Sequence, residues 1–455
     1  MLHQISLTTL ALLLLACWLH STPANALTLN QAFILAMNHD PTLQAAVQEK
    51  LAGEEERAIG RAGLLPQVSA TYQNAPSNRQ NQKYQGTDIF GQSTGEQSVN
   101  TQYRSHSLSV TVTQPIFDYE AWARYQGGVA RALMADERYR ARLQEMATRL
   151  LEAYIEVAYR RETISLTQSQ VVTYEEQLAL NQRQFELGES AVTDVAETQA
   201  RYSLAQAQRI EAQDALNAAQ SALSNIIGVP VADIGIIEVL NGSFTPMALK
   251  LASLEAWQQQ AKSRNPELRA ARQGLEAAHY EVERNRAGHL PRVALYASHA
   301  ENNSSNDNTV GQQYRTNSIG VQVSVPIYAG GGVSAAISQA AARYMQAKYE
   351  LAAQSDKMLN DLQQQYNLCR SSETKLKAYE LALKAADKQV VATRQSVQAG
   401  MRVNVDVLNA EQQRFLTQKE YAETKYSYLK AWVALQSLAG TLNEQDIMQV
   451  ERYFR

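Results

Sequence analysis

Cysteine is nearly absent: the 455 residues contain two, and one of them, Cys17, falls in a leader expected to be removed. Cys369 would then stand alone, so no disulfide can staple the mature chain, and its expected place is as a small buried hydrophobe on a helix. Beyond residue 26 no run of about 18 apolar residues exists, which excludes a transmembrane helix. If this chain meets a membrane, it must do so with strands. Charge of one sign is lacking as well: 42 Lys and Arg stand against 45 Asp and Glu, giving −3, too balanced to steer toward nucleic acid. There is no Walker A loop, HExxH, GxSxG or CxxC, and His39, His106, His279, His289 and His299 lack metal-ligand spacing. No catalytic residue, cofactor or metal site is therefore expected. Gly330-Gly331-Gly332 is followed by no Lys-Ser or Lys-Thr, so it reads as a strand-to-helix hinge and not as a phosphate cradle.

What is present begins with the leader. The first 26 residues hold no Lys, Arg, Asp or Glu, and they carry the apolar run Leu10 to Ala16 before the small-residue site Ala24-Asn25-Ala26. This predicts a signal peptide over 1–26. Leu14-Leu15-Ala16-Cys17 resembles a lipoprotein cleavage box, but small residues at both specificity positions favour cleavage after Ala26.

The remaining chain says almost the same thing twice. Asp40-Pro41 and the stretch Arg61 to Pro66 return as Asn265-Pro266 and Arg286 to Pro291, both displaced by 225 (266−41 and 291−66). Pro115-Ile116-Phe117 returns as Pro326-Ile327-Tyr328, and Gly188 returns as Gly400, displaced by 211 and 212 (326−115 and 400−188). A unit this long is no solenoid repeat; it predicts one architecture with internal pseudo-twofold symmetry. We read repeat one over 27–228, a linker over 229–250 with Pro230, Gly235 and Gly242, repeat two over 251–440, and a tail over 441–455.

Each repeat carries a strand hairpin, 67–114 and 292–325, bounded from the helices by Pro66 and Pro115 and by Pro291 and Pro326. Pro115 and Pro326 are expected to end the ladders, where a missing backbone donor does least harm. Val68, Ala70 and Tyr72 alternate with polar residues, as do Val293, Leu295 and Ala297; a polar connection follows, 74–103 in one repeat and 301–314 in the other. The second strands alternate again, through Leu108, Val110 and Val112, and through Ile319, Val321, Val323 and Val325. Rows of this kind suit strands with one face to lipid and one to a lumen. Four strands cannot close a barrel, which needs about eight, so other copies must supply the rest; three copies give twelve.

The mass lies in helices. From Pro115 to Gly188 and from Pro326 to Gly400 (188−115 = 73; 400−326 = 74) no further proline occurs, and Ala, Gln, Glu, Arg and Leu dominate. Leu143, Ala147, Leu150, Tyr154 and Val157 step by the 4,3 spacing of a coiled-coil seam. Gly188 and Gly400 turn the chain into returning helices, about Thr193 to Ile227 and Asn404 to Ala439, ending at Gly228 and Gly440. Helices over Pro41–Leu65 and Pro266–Leu290 are placed to stack end to end on the returning ones.

In this order the residues resemble the TolC family of outer-membrane export ducts. The resemblance is carried by Leu27-Thr28-Leu29, the Gly-Leu-Leu-Pro and Gly-His-Leu-Pro boundaries at Pro66 and Pro291, the Pro115 and Pro326 motifs, Gly330-Gly331, Thr193-Asp194-Val195 and Val405-Asp406-Val407. It spans essentially the whole mature length. The ending Gly440 to Asp446 is similar to that of members serving type I protein secretion. The family implies a homotrimer: a twelve-stranded barrel in outer-membrane lipid, continuous with a long periplasmic α-helical tunnel closed at its tip by helical hairpins. It implies two partners, a periplasmic adaptor docking at the tips near Gly188 and Gly400 and an inner-membrane ABC transporter.

The resemblance also implies a gate. Three copies of Asp406 would ring the narrowest point, and Arg402 would tie neighbouring hairpins shut through Thr193 and Asp194. Stacked carboxylates attract cations. This chain departs from the family's namesake at Asn409, where that protein carries a second aspartate, and at Val397, where it carries a gate tyrosine, so the ring is expected to be single and the latch weaker. For Asp194 and Asp406 the plainer reading is favourable charge at a helix N-terminus. Two other functions stay open: the duct of a drug efflux pump, and an exported coiled-coil scaffold or adhesin.

Overall fold

The structure, a computed structural model, describes residues 27–240, 244–307 and 310–454; the expected signal peptide with Cys17, and Gly242, lie outside them. In chain order the elements are α1 (Leu29–His39), α2 (Pro41–Ala62), β1 (Gln67–Thr87), β2 (Ser93–Phe117), α3 (Tyr119–Glu186), α4 (Val192–Ile227), α5 (Leu254–Arg264), α6 (Pro266–Arg286), β3 (Arg292–Asp307), β4 (Val310–Ser324), α7 (Gly332–Gln398), α8 (Asn404–Leu438) and α9 (Glu444–Glu451). The order from α1 to α4 recurs from α5 to α8. No described helix is long and apolar enough to cross a membrane. The chain forms two compact units, one of residues 27–49, 137–269 and 353–454, the other of 50–136 and 270–352.

The second unit holds a single antiparallel sheet in the order β1-β2-β3-β4, so β1 and β4 are both edges. Register fixes its faces. Val68 stands opposite Val112, Val112 opposite Ala297 and Ala297 opposite Ile319. Because side chains alternate along a strand, Leu295 and Val321 share that face, while Ser69, Thr111, Ser298 and Ser318 form a row on the other. Val68, Ile319 and Val321 are 70%, 79% and 62% exposed, an apolar face that no described residue covers. The apolar rows end at a polar one: His299 meets Asn317 at 2.6 Å, and Arg315 pairs with Glu301 at 2.8 Å.

The polar stretches expected as connections are largely strand. Pairing of β1 with β2 continues to Thr87–Ser93, and that of β3 with β4 to Asp307–Val310, so most of 74–103 and the described part of 301–314 lie within strands and not in links. Ladder bonds are made by backbone, so a ribbon outside the apolar zone needs no hydrophobic alternation. Pro66 and Pro291 each stand immediately before a strand, and Pro326 two residues after β4. Pro115 does not end its ladder: the β1 side stops at Thr113, but β2 remains paired with β3 through Pro115 to Phe117, across a bulge. The missing N–H is tolerated because only one flank is still bonded there. Gly330 and Gly331 take φ of +62° and +80° immediately before α7, as a hinge requires.

In the first unit the repeated landmarks are caps. Asp40 Oδ1 accepts from the N–H groups of Thr42 and Leu43 at 2.8 and 2.9 Å, and Asn265 Oδ1 accepts from that of Leu268 at 3.0 Å, each just before a proline at the first helical position. Arg149 reaches the other oxygen of Asp40 at 2.8 Å. Burial pushes that carboxyl up, yet its bonds to Thr42 and Leu43 and the nearby guanidinium together hold it below the ordinary carboxylate range. The helices so started end at Ala62 and Arg286, short of Leu65 and Leu290, the latter with a 3₁₀ turn Ala287–His289. Gly228 and Gly440 end the returning helices at φ of +69° and +68° against the last turns of α1 and α5, where a Cβ would lie 2.6 Å from His39 Cβ and 2.5 Å from the Arg264 carbonyl.

Ala147, Leu150, Tyr154 and Val157 are buried, as the seam predicts, with Leu143 half-buried. Facing them α8 is dense with buried aromatics, Tyr426, Tyr428 and Trp432 among them. The linker is pinned to these rings: the Leu240 N–H donates to Tyr426 Oη at 3.2 Å, and the Tyr428 hydroxyl donates to the Met247 carbonyl at 2.7 Å. In the tail Asn443 caps α9, and Asp446 pairs with Lys250 at 2.6 Å. Cys369 is buried and its thiol is pushed up to about 12, chiefly by burial.

Candidate functional site at the helical hairpin tips

Both hairpin turns are built by the same backbone device. Gly188 and Gly400 take φ of +75° and +73°. At the first tip the Gly188 N–H donates to the Phe185 carbonyl at 3.0 Å and the Glu189 N–H to that of Gln184 at 2.8 Å; at the second, Gly400 and Met401 donate to Val397 and Ser396, both at 2.9 Å. This pair of bonds is a Schellman motif, which closes a helix through a left-handed residue, so glycine is required at both.

The two aspartates start the returning helices. Asp194 accepts from the Ala191 N–H at 3.3 Å, half of a capping box, which gives it the plain N-terminal role. Asp406 stands in the first turn of α8, half-buried, where its charge opposes the exposed amide dipoles favourably. Thr193 and Arg402 are exposed. No ion pair joins Arg402 to Asp194 or Asp406 within the chain among the described residues; the structure does not bring them together in one copy. Asn409 accepts from Arg201 Nη2 at 3.1 Å, which links α8 to α4.

Sequence reasoning missed a buried polar group that also joins the two hairpins. Gln177 Nε2 donates to Asn181 Oδ1 at 3.1 Å and to Asn404 Oδ1 at 3.0 Å. The amide nitrogens of Asn181 and Asn404 in turn donate to Thr198 Oγ1, at 2.7 and 3.2 Å. The Thr198 hydroxyl itself donates to the Asp194 carbonyl at 2.7 Å. The four side chains form a closed ring drawn from α3, α4 and α8, with both lone pairs and the proton of the Thr198 hydroxyl in use. Asn181 and Thr198 are 2% and 0% exposed, so the bond between them is shielded from water, while Gln177 and Asn404 are half-buried.

Two turns further along α8, Gln412 Oε1 accepts from Gln170 Nε2 and from the Tyr174 hydroxyl, both at 3.1 Å. Between the two polar layers lies an apolar one of Val171, Tyr174, Ala205 and Leu408, flanked by Tyr202. Burial raises the Tyr174 hydroxyl above its ordinary range, so it stays a neutral donor. Asn404, Leu408 and Gln412 repeat every four residues, one stripe of α8 aimed at the first hairpin. That stripe was the available signal: amides at seam positions between apolar neighbours. On its other side α8 is tied to α7 by Arg414 to Asp387 at 2.6 Å and by Arg394 to Glu411.

A family model described as outer membrane efflux protein matches residues 34–229 and 257–441. The alkaline protease secretion protein AprF of Pseudomonas aeruginosa is 42% identical over 95% of this chain and 88% of its own length. The proteases secretion protein PrtF of Dickeya chrysanthemi is 41% identical over 95% of this chain and 92% of its own. Among solved structures, the outer membrane protein VceC of Vibrio cholerae superposes with a TM-score of 0.76 at 17% identity, covering 90% of this chain and 96% of that one, a likeness of fold.

Proposed function

Because the chain belongs to the outer membrane efflux protein family, we propose that it is the passive outer-membrane duct of a type I protein secretion system. It is not an enzyme. It lies in the outer membrane with a long periplasmic portion, and it receives its cargo from an inner-membrane ABC transporter and a periplasmic adaptor. The observation that carries the duct is the sheet: four strands whose two edges are unpaired and whose apolar face is bare. Unpaired backbone is costly in lipid, so the edges require partners, and three copies supply the twelve strands of a closed barrel with an open bore. Protein cargo is supported by the two protease-secretion relatives.

The gate follows from the same assembly. The adaptor docks at the tips marked by Gly188 and Gly400. Around the threefold axis the Asp406 carboxylates form one acidic ring, favouring cations and repelling anions. Arg402 is exposed and has no ion pair in its own chain among the described residues, which supports its reaching Thr193 and Asp194 of a neighbouring copy. Asp194 offers that contact its second carboxylate oxygen, since one already caps α4. An exposed pair contributes about 0 to 1 kcal/mol, so three make a latch that docking can release.

Planar-bilayer recording of the purified protein tests the reading: a small cation-selective conductance is expected, with Asp406→Asn removing the selectivity. No channel from intact oligomers would overturn the duct. Deleting the gene should abolish export of a secreted protein while leaving drug tolerance intact; the reverse pattern would make it a drug efflux duct.

A further inference from the structure

We infer that Asn404 is a positioning residue of the closed tip, acting through the uncharged ring Gln177–Asn181–Thr198–Asn404. The inference rests on the duct reading and adds to the ionic latch a second restraint of different chemistry. Three of the ring's members belong to the first hairpin and are held to one another within it: Gln177 and Asn181 lie one turn apart on α3, and Thr198 is anchored to the backbone of α4. Asn404 alone comes from the second hairpin, 227 positions from Gln177. If α8 swings away, Asn404 loses both its bonds at once, and no other described side chain of the ring moves with it.

The ring is saturated only while the hairpins are together. With Asn404 gone, one lone pair of Thr198 Oγ1 and one amide proton of Gln177 lose their partners at a site where Thr198 is fully buried. Opening therefore exposes these groups to water or leaves them unsatisfied, and closing restores them. Being neutral, the ring is indifferent to ionic strength, whereas an exposed arginine latch is screened by salt. The tip thus has one restraint that salt weakens and one that it does not.

The test is single-channel open probability in planar bilayers, at low and at high KCl, for wild-type protein and for Asn404→Leu, Thr198→Val and Thr198→Ser, each first checked for a heat-resistant oligomer. Thr198→Val keeps the volume and removes the hydroxyl; Thr198→Ser keeps the hydroxyl. Asn404→Leu and Thr198→Val should each raise open probability about tenfold, equally at both salt concentrations. The first removes two neutral bonds per copy and the second three, the bond that joins the hairpins through Thr198 being common to both. Thr198→Ser should stay at the wild-type value. Wild-type open probability in Thr198→Val, or an equal rise in Thr198→Ser, would overturn the proposal. If wild-type protein forms no channel, the duct reading itself fails; amide exchange at the first turn of α8 then decides the ring, faster exchange in Thr198→Val supporting it and unchanged exchange refuting it.

Discussion

Helices α3 and α8 meet at two heights, and they are joined by opposite chemistries. Near their middle, Lys425 pairs with Glu162 at 2.9 Å with side chains only 7% and 19% exposed, and Tyr426 donates to the same carboxylate at 2.7 Å. Lys430 and Arg160 both pair with Glu156 close by. At the tip the contact is made by Gln177, Asn404 and Gln412, with no charge on either side. A buried ion pair is hard to open because each half left alone is an uncompensated charge, whereas amides released at a surface regain their bonds to water. The proposed opening would then part the tip and leave the middle closed.

That contrast can be broken at the middle first. Lys425→Met leaves the Glu162 carboxylate buried with one neutral partner; it should destabilise the folded chain by about 3 to 5 kcal/mol, read as a lowered melting temperature, and Lys425→Met with Glu162→Leu should recover most of the loss. At the sheet, Val112→Arg on the bare face should cost about 2 to 4 kcal/mol if that face meets lipid, measured by folding into vesicles, while Thr111→Arg on the opposite face should be tolerated. Tyr426→Phe removes a hydroxyl bonded to Glu162 and to the Leu240 N–H and should cost about 1 to 3 kcal/mol in the same melting assay.

Acid sharpens the comparison. Burial pushes Glu156 up, but Lys430 and Arg160 outweigh it and hold the carboxyl below its ordinary range. A carboxylate depressed in the folded state contributes stability that is present above its unfolded value of about 4.3 and is lost as pH falls through the lower folded value. The middle should therefore weaken below about pH 4.3, and Glu156→Gln should flatten that slope. Glu152 runs the other way, raised by burial against the opposing influence of Lys430, which is why the single substitution and not the whole cluster is the right probe. The neutral ring has no such dependence. Smallest of all, Asn409→Ala removes one exposed bond to Arg201 and should shift tip opening by no more than about twofold.

How far the sequence reaches follows from what each feature depends on. The long helices were legible because nothing within them breaks a helix, and the turns because only glycine suits their left-handed caps. The apolar halves of the strands were legible by alternation; the polar halves were not, since their pairing rests on backbone bonds to a neighbour and leaves no hydrophobic trace. Asp194 was readable as a local cap. The ring was not, because Gln and Asn are ordinary on a solvated helix, and only the fold brings Asn404 to Thr198.

The two strand hairpins differ in reach. Repeat one carries strands of 21 and 25 residues against 16 and 15 in repeat two, and its far turn holds up Ile89 and Phe90, 95% and 84% exposed, on a loop tied by Asp88. The two halves share one plan, yet the longer polar ribbon and its exposed apolar tip belong to the first.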